Sequence, residues 1–218
     1  MSGVEVAAMT DDSSAIDRDC KDLIEENTLR ANTYSILAGL LSDIPSSDLL
    51  DYLRHIAEPA NDGEENGDIG AAWQQLKAAA QRVDEDDLDV EYHALFIGLG
   101  RGEVVPYGSW HITGFLMEKP LSDLRDDLES LGIEADENVK DPEDHIAALC
   151  ETMALIIEAN DVDAPRVRQF YARHIHPWAA KFFKELESAG SSDFYKSVGL
   201  LGQRFIDLEN QYLNIQSH

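Results

Sequence analysis

The sequence predicts an all-α fold, a single compact helical bundle. Three observations point to it. Apolar residues recur at i, i+3 and i+4 through most of the chain, no segment alternates apolar and polar residues as a half-buried strand would, and Pro, Gly, Ser and Asp stand where helices start and stop. The chain has 218 residues, 44% of them hydrophobic. A domain of that size removes roughly 70% of its unfolded surface from water in one core, and no internal repeat divides it. The expected organisation is a flexible N-terminus over 1–14 and one helical domain over 15–218, with a glycine- and proline-rich loop at 98–110.

Leu23, Ile24, Leu29, Tyr34, Ile36, Leu37, Leu40 and Leu41 form the first apolar stripe, which must stop before Pro45 because the residue ahead of a proline is pushed out of helical dihedrals. Ser46 or Ser47 then caps a short helix reaching Ile56. The charged, glycine-containing run from Asn61 to Asp68 reads as a mobile loop. A helix from about Ile69 to Val83 follows, then one from about Asp86 to Ile97 that Gly98 ends. Beyond the loop, a short helix spans Ser109 to Met117, and another begins near Pro120 and ends at Gly132. Asp141, Pro142 and Asp144 read as a helix start, with Asp141 as cap and Pro142 at the first helical position. That helix continues to Ala159 with Ile146, Leu149, Cys150, Met153 and Ile157 facing the core. Pro165, Pro177 and the Ser191–Ser192 pair open three more helices, the last carrying Phe194, Val198, Leu201, Phe205, Leu208 and Tyr212.

Charge is the most unusual bulk property: 43 acidic against 17 basic residues give a formal net charge of -26. Such a surface repels phosphate backbones and anionic lipid and attracts cations, which argues against nucleic acid and for a basic peptide. A saline cytoplasm would select the same acidity. No apolar run is long enough to cross a bilayer, so stable membrane insertion is not expected. The N-terminus lacks a basic stretch followed by an apolar core, so the expected location is cytoplasmic. Cys20 and Cys150 lie far apart without Cys-x-x-Cys spacing and read as reduced packing residues.

Seven histidines invite a metal hypothesis, yet none stands at zinc-protease or zinc-finger spacing. His174 and His176 flank the boundary marked by Pro177 and read as a helix C-terminus interaction and an interhelical hydrogen bond. Asp144 and His145 leave two readings open. Asp144 is either a first-turn charge worth ~0.3–1 kcal/mol to its helix or, with His145, half of an acid–base or metal-ligand pair. Gly108-Ser109-Trp110 lacks the second glycine of a nucleophile elbow. Gly98, Gly100 and Gly102 lack the Lys-Ser/Thr of a phosphate loop and read as bend formers.

Four blocks in order, Tyr92-x-x-Leu95-Phe96-x-Gly98-x-Gly100, Pro106-x-Gly108-Ser109, Glu143-Asp144-His145-Ile146, and His176-Pro177-Trp178 with Phe194-Tyr195 downstream, resemble the TorD/DmsD family of cytoplasmic chaperones for molybdenum-containing redox enzymes. The resemblance covers roughly Glu91 to Tyr212. It implies a helical fold of the TorD-like type and a non-enzymatic chaperone. Such a chaperone binds the twin-arginine signal peptide and body of a molybdoenzyme apoprotein and assists cofactor insertion before export. It further implies that Asp144 and His145 belong to the signal-peptide motif, Asp144 as an arginine partner, with Tyr107, Ser109 and Trp110 lining the loop beside them. Gly98, Gly100, Pro106 and Gly108 shape that loop and offer a hinge.

No catalytic residue, bound metal or cofactor is expected, although guanine nucleotide or the molybdenum cofactor has been suggested for some relatives. A monomer or a helix-swapped dimer fits the same resemblance. Two departures leave peptide preference open: Gly98 to Pro106 carries Arg101, Glu103 and two valines where the family varies, and Tyr107 stands where a relative has tryptophan. The competing readings are a helical metal-dependent phosphohydrolase built on Asp144 and His145, and a nitrate-reductase-type assembly factor.

Overall fold

Ten α-helices account for the described residues, which in this computed structural model are 11–56, 67–98, 102–134, 140–159 and 164–215, without the side chains of 11–20 and 67. In chain order they are α1 (Asp11–Ser42), α2 (Ser47–His55), α3 (Gly67–Arg82), α4 (Glu85–Tyr92), α5 (Gly108–Thr113), α6 (Lys119–Leu131), α7 (Ile146–Glu158), α8 (Ala164–His174), α9 (Ala179–Ser188) and α10 (Phe194–Tyr212). Among these residues the β structure is a single antiparallel bridge between Tyr107 and His145. The predicted all-α class therefore stands. The loop expected at 61–68 falls outside the described residues up to 66, as do Gly100 and the first ten residues, and α1 starts at Asp11, inside the stretch expected to be flexible.

Four helix pairs build the core. α1 lies along α7, and α10 packs on α9 and α3, with α2 across α3. α7 is buried on most of its circumference, through Ile146, Ala147, Leu149, Cys150, Met153 and Ile156 among others. Cys150 is one of these packing residues, a free thiol whose pKa burial pushes up to about 12; the Cys20 side chain is not described. Tyr34 of α1 meets Phe205 of α10 edge to face at 4.7 Å between centroids. Gly202 lets α10 settle onto α9, since a Cβ there would sit 2.1 Å from the Phe183 ring.

A buried ion pair that periodicity could not foresee joins α1 to α10. Arg30 Nη2 donates to Glu209 Oε2 at 2.8 Å, Tyr34 Oη donates to the same oxygen at 3.0 Å, and Glu209 is fully buried. Pairing and hydrogen bonds of this kind offset the desolvation of a buried carboxylate.

One burial pattern and two helix boundaries depart from expectation. Leu23, Ile24 and Leu29 are exposed, not core, because α1 meets the bundle only from about Arg30 onward. The helix predicted over Ser109–Met117 ends at Thr113, where Gly114 turns left-handed at φ 82°. α7 begins at Ile146, so Asp141, Pro142 and Asp144 precede it, and the first-turn reading of Asp144 is corrected. The cause is tertiary: Gly108 N donates to Asp144 O at 2.9 Å and Ile146 N to Pro106 O at 2.8 Å, which holds the 142–145 turn and the extended His145 against the loop.

Candidate functional site

The two motifs Pro106–Trp110 and Glu143–Ile146, far apart in sequence, form one seam. With both backbone bonds of the seam made, Asp144 turns inward: Ser109 N, at the start of α5, donates to its Oδ2 at 2.7 Å. Asp144 is 3% exposed, and its Oδ1 has no hydrogen-bond partner among the described residues. Leaving a buried acceptor unsatisfied costs about 1–3 kcal/mol, so such an atom calls for a reason.

His145 sits at the N-cap of α7, where its Nδ1 accepts the Ala147 N–H at 3.2 Å. That contact requires the neutral ring, and burial holds the pKa of His145 below its ordinary value against the opposing pull of Asp141 and Asp144. Tyr107 packs edge-on to the His145 ring at 5.1 Å and donates its hydroxyl to Asp141 Oδ1 at 2.7 Å. Burial first, then that bond to Asp141, raises the Tyr107 pKa, so the phenol stays protonated. Gly108 is required by space: a Cβ would lie 2.9 Å from the indole nitrogen of Trp178. Gly98 ends the π-helical turn His93–Ile97 at φ 57°, a glycine conformation, with its N–H donated to His93 O at 2.7 Å.

Gly108, Ser109 and Asp144 line a cavity of about 270 Å³ whose other walls include Ile112, Pro120, Leu124, Leu149 and Trp178. Asp123, Arg173 and His174 contribute its polar edge. The bases nearby are already matched: Lys119 holds Asp123 at 2.7 Å, Arg173 donates to Asp127 at 2.7 Å, and Arg125 donates to both oxygens of Glu143 at 3.0 Å. Asp144 is thus a lining residue with one buried oxygen that lacks a partner among the described residues, beside mostly apolar walls. Among the expected site residues, Tyr107, Trp110 and His145 stand outside this lining. Trp110 is half-buried.

A wider hollow of about 1180 Å³ lies between α8, α9 and the end of α10. Arg168 there is occupied, donating to the carbonyl oxygens of Leu213 at 2.7 Å and Asn214 at 3.3 Å. The smaller cavity is the better candidate because it alone of the two is lined by Asp144, the residue with the orphaned carboxylate oxygen.

His174 Nε2 and Asp127 Oδ2 meet at 2.6 Å between α8 and α6, an interhelical contact, while His176, in the turn after α8, meets Asn210 Oδ1 of α10 through its Nδ1 at 2.9 Å. Sequence reasoning missed the cavity walls from α6 and the role of Trp178, whose indole N–H donates to His174 O at 2.7 Å and whose ring stacks on His111 at 5.1 Å. Among the described residues, no three His, Cys, Asp or Glu side chains are placed to hold a metal ion.

The family model described as nitrate reductase delta subunit matches residues 62–184, more than half of the chain. A chaperone protein TorD of Vibrio atlanticus is 27% identical over 211 residues, 88% of this chain and 98% of that protein. A TorD of Vibrio parahaemolyticus is 28% identical over 165 residues, covering 68% of this chain and 77% of that one. A Tat proofreading chaperone DmsD of Haemophilus influenzae is 26% identical over 184 residues, 81% and 88% of the two chains. A solved structure described as a redox enzyme maturation protein, from Archaeoglobus fulgidus, superposes with a TM-score of 0.57 at 20% identity, over 82% of this chain and 94% of that one, and so shares the fold.

Proposed function

The chain belongs to the nitrate reductase delta subunit family of TorD- and DmsD-type chaperones, and from that premise we propose that it is a cytoplasmic, non-enzymatic chaperone of molybdoenzyme maturation. It binds the N-terminal twin-arginine leader of its client and holds the client back until the cofactor is inserted. Relatives named TorD and DmsD support the chaperone role.

One observation carries the leader-binding part: the buried, unpartnered Oδ1 of Asp144 at an apolar-walled cavity in a chain of net charge -26. A guanidinium on a three-carbon stem is the donor that such a site fits, its stem against Leu124, Leu149 and Ile112 and its fork on the carboxylate. Asp144→Asn keeps an acceptor for Ser109 N and removes the charge. It should weaken binding of a twin-arginine peptide by ~10- to 100-fold at low salt, with the deficit shrinking as salt screens the lost attraction. Equal calorimetric affinities for variant and wild type across the salt range would remove Asp144 from the site.

A nitrate-reductase-type assembly factor is the second reading, favoured by the description of the matching family. Identifying the client protein captured by the chain, and whether its capture needs the leader, separates the two.

A further inference from the structure

The hollow of about 1180 Å³ between α8, α9 and the end of α10 is built from the part of the chain whose charge runs against the rest. The whole sequence carries 43 acidic against 17 basic residues. Over 164–184, which forms α8, the turn after it and the first half of α9, it carries Arg166, Arg168, Arg173, Lys181 and Lys184 and not one Asp or Glu. Arg168 and Lys181 line the hollow with His176, and Asp207 of α10 is the single carboxylate among the described lining residues.

The two cations keep their charge. Arg168 donates to the carbonyl oxygens of Leu213 and Asn214, neutral acceptors that fix the guanidinium at the end of α10 without cancelling it. Lys181 reaches Glu185 only at 3.8 Å, an exposed contact within one helix that carries little energy. Arg173 of the same stretch is different: Asp127 takes it up. Around the cations, Gln169 and Asn214 offer amide groups, and Pro165, Ala172 and Ile215 offer apolar contact.

We propose that this hollow docks an acidic peptide segment of a partner protein, with the segment's carboxylates on Arg168 and Lys181 and its main chain along the side-chain amides. Charge complementarity names the occupant, since a basic hollow in a chain of net charge -26 selects an anion locally. Size and shape narrow it to a peptide. The hollow exceeds the about 300–1,000 Å³ of a small-molecule site, and a lone phosphate would leave most of it empty. Duplex nucleic acid and anionic membranes are broad, densely charged surfaces that the acidic remainder of the chain repels. A narrow segment with a few carboxylates enters at less cost. The site is separate from the proposed leader site and does not depend on it.

The test is calorimetry on the full chain at about 0.15 M salt, where charges more than about 8 Å away are largely screened. The probes are a short end-capped peptide with alternating Glu, its Gln counterpart, and inorganic pyrophosphate. The Glu peptide should bind at least ~10-fold more tightly than the Gln peptide. Lys181→Glu should weaken the Glu peptide by ~10-fold. Lys184→Glu makes the same charge change on the same helix outside the hollow's lining, and should leave the affinity unaltered. Arg168→Gln should cost ~10-fold or more. Because Arg168 also holds the end of α10, the exposed Lys181 decides the matter where the Arg168 variant has a lowered thermal midpoint. No binding of the Glu peptide, or equal losses from Lys181→Glu and Lys184→Glu, overturns the proposal. Pyrophosphate binding more tightly than the Glu peptide, and lost in Lys181→Glu, would make the hollow a small-anion site and overturn it as well.

Discussion

Asp144 serves two ends because its two oxygens face different surroundings. Oδ2 is fixed by the Ser109 N–H, while Oδ1 is buried without a partner among the described residues. The adjacent His145 is a structural cap, and it gives the site a pH response. Burial holds His111, His145 and His174 below the ordinary value of 6.5. Below about 6.5 the unfolded chain therefore binds more protons than the folded one, so the stability these rings contribute is complete above that pH and is lost as pH falls through their folded values. The thermal midpoint should drop from pH 7 to pH 5.5. His145→Asn, which keeps a good capping side chain without the titration, should show a shallower drop. Parallel pH curves for the two proteins would show that His145 is not one of the groups responsible.

At the scale of elements, helix boundaries follow tertiary partners more than local signals. The Asp141-Pro142 signature is a real start signal, yet α7 begins only at Ile146 because backbone bonds from Gly108 and Ile146 hold the 142–145 turn against the loop. No single-sequence pattern contains that long-range pairing. The start of α10 has a similar origin. Its orphan N–H groups at Asp193, Phe194 and Tyr195 are met by the Glu91 carboxylate, at 2.7, 3.1 and 2.8 Å, from a residue a hundred positions upstream. Glu103 fastens the preceding turn by accepting from the N–H groups of Gly190 and Ser191. Glu91→Ala should cost about 2–3 kcal/mol by stripping three helix-start donors of their acceptor, a fall in Tm of roughly 5–10 °C for a chain of this size. Glu91→Gln, which retains an acceptor, should cost less. A Tm within a degree of wild type for Glu91→Ala would mean that water satisfies those groups equally well.

For the whole molecule, the helical class and most helices were legible because apolar periodicity and Pro/Gly punctuation are local properties. The seam between 106–110 and 143–146 was legible only as a resemblance, since physical reading left Asp144 between a helix charge and a reactive group. The spacing predicts a helix through Met117, where the structure has an exposed apolar turn after Thr113 instead. Its exposure depends on the left-handed Gly114 and Met117, which follow from anchoring to Ser109 and not from propensity. The net charge of -26 acts at this scale as well, drawing cationic segments toward the chain from beyond contact distance.

The most direct measurement is a calorimetric titration of the full chain with a leader peptide bearing adjacent arginines and an apolar run, beside the same peptide with both arginines changed to glutamine, at low and high salt. The arginine peptide should bind, the glutamine peptide should bind at least ~10-fold more weakly at low salt, and the gap should narrow as salt rises. Equal affinity for the two peptides, or no binding of either, would contradict the account.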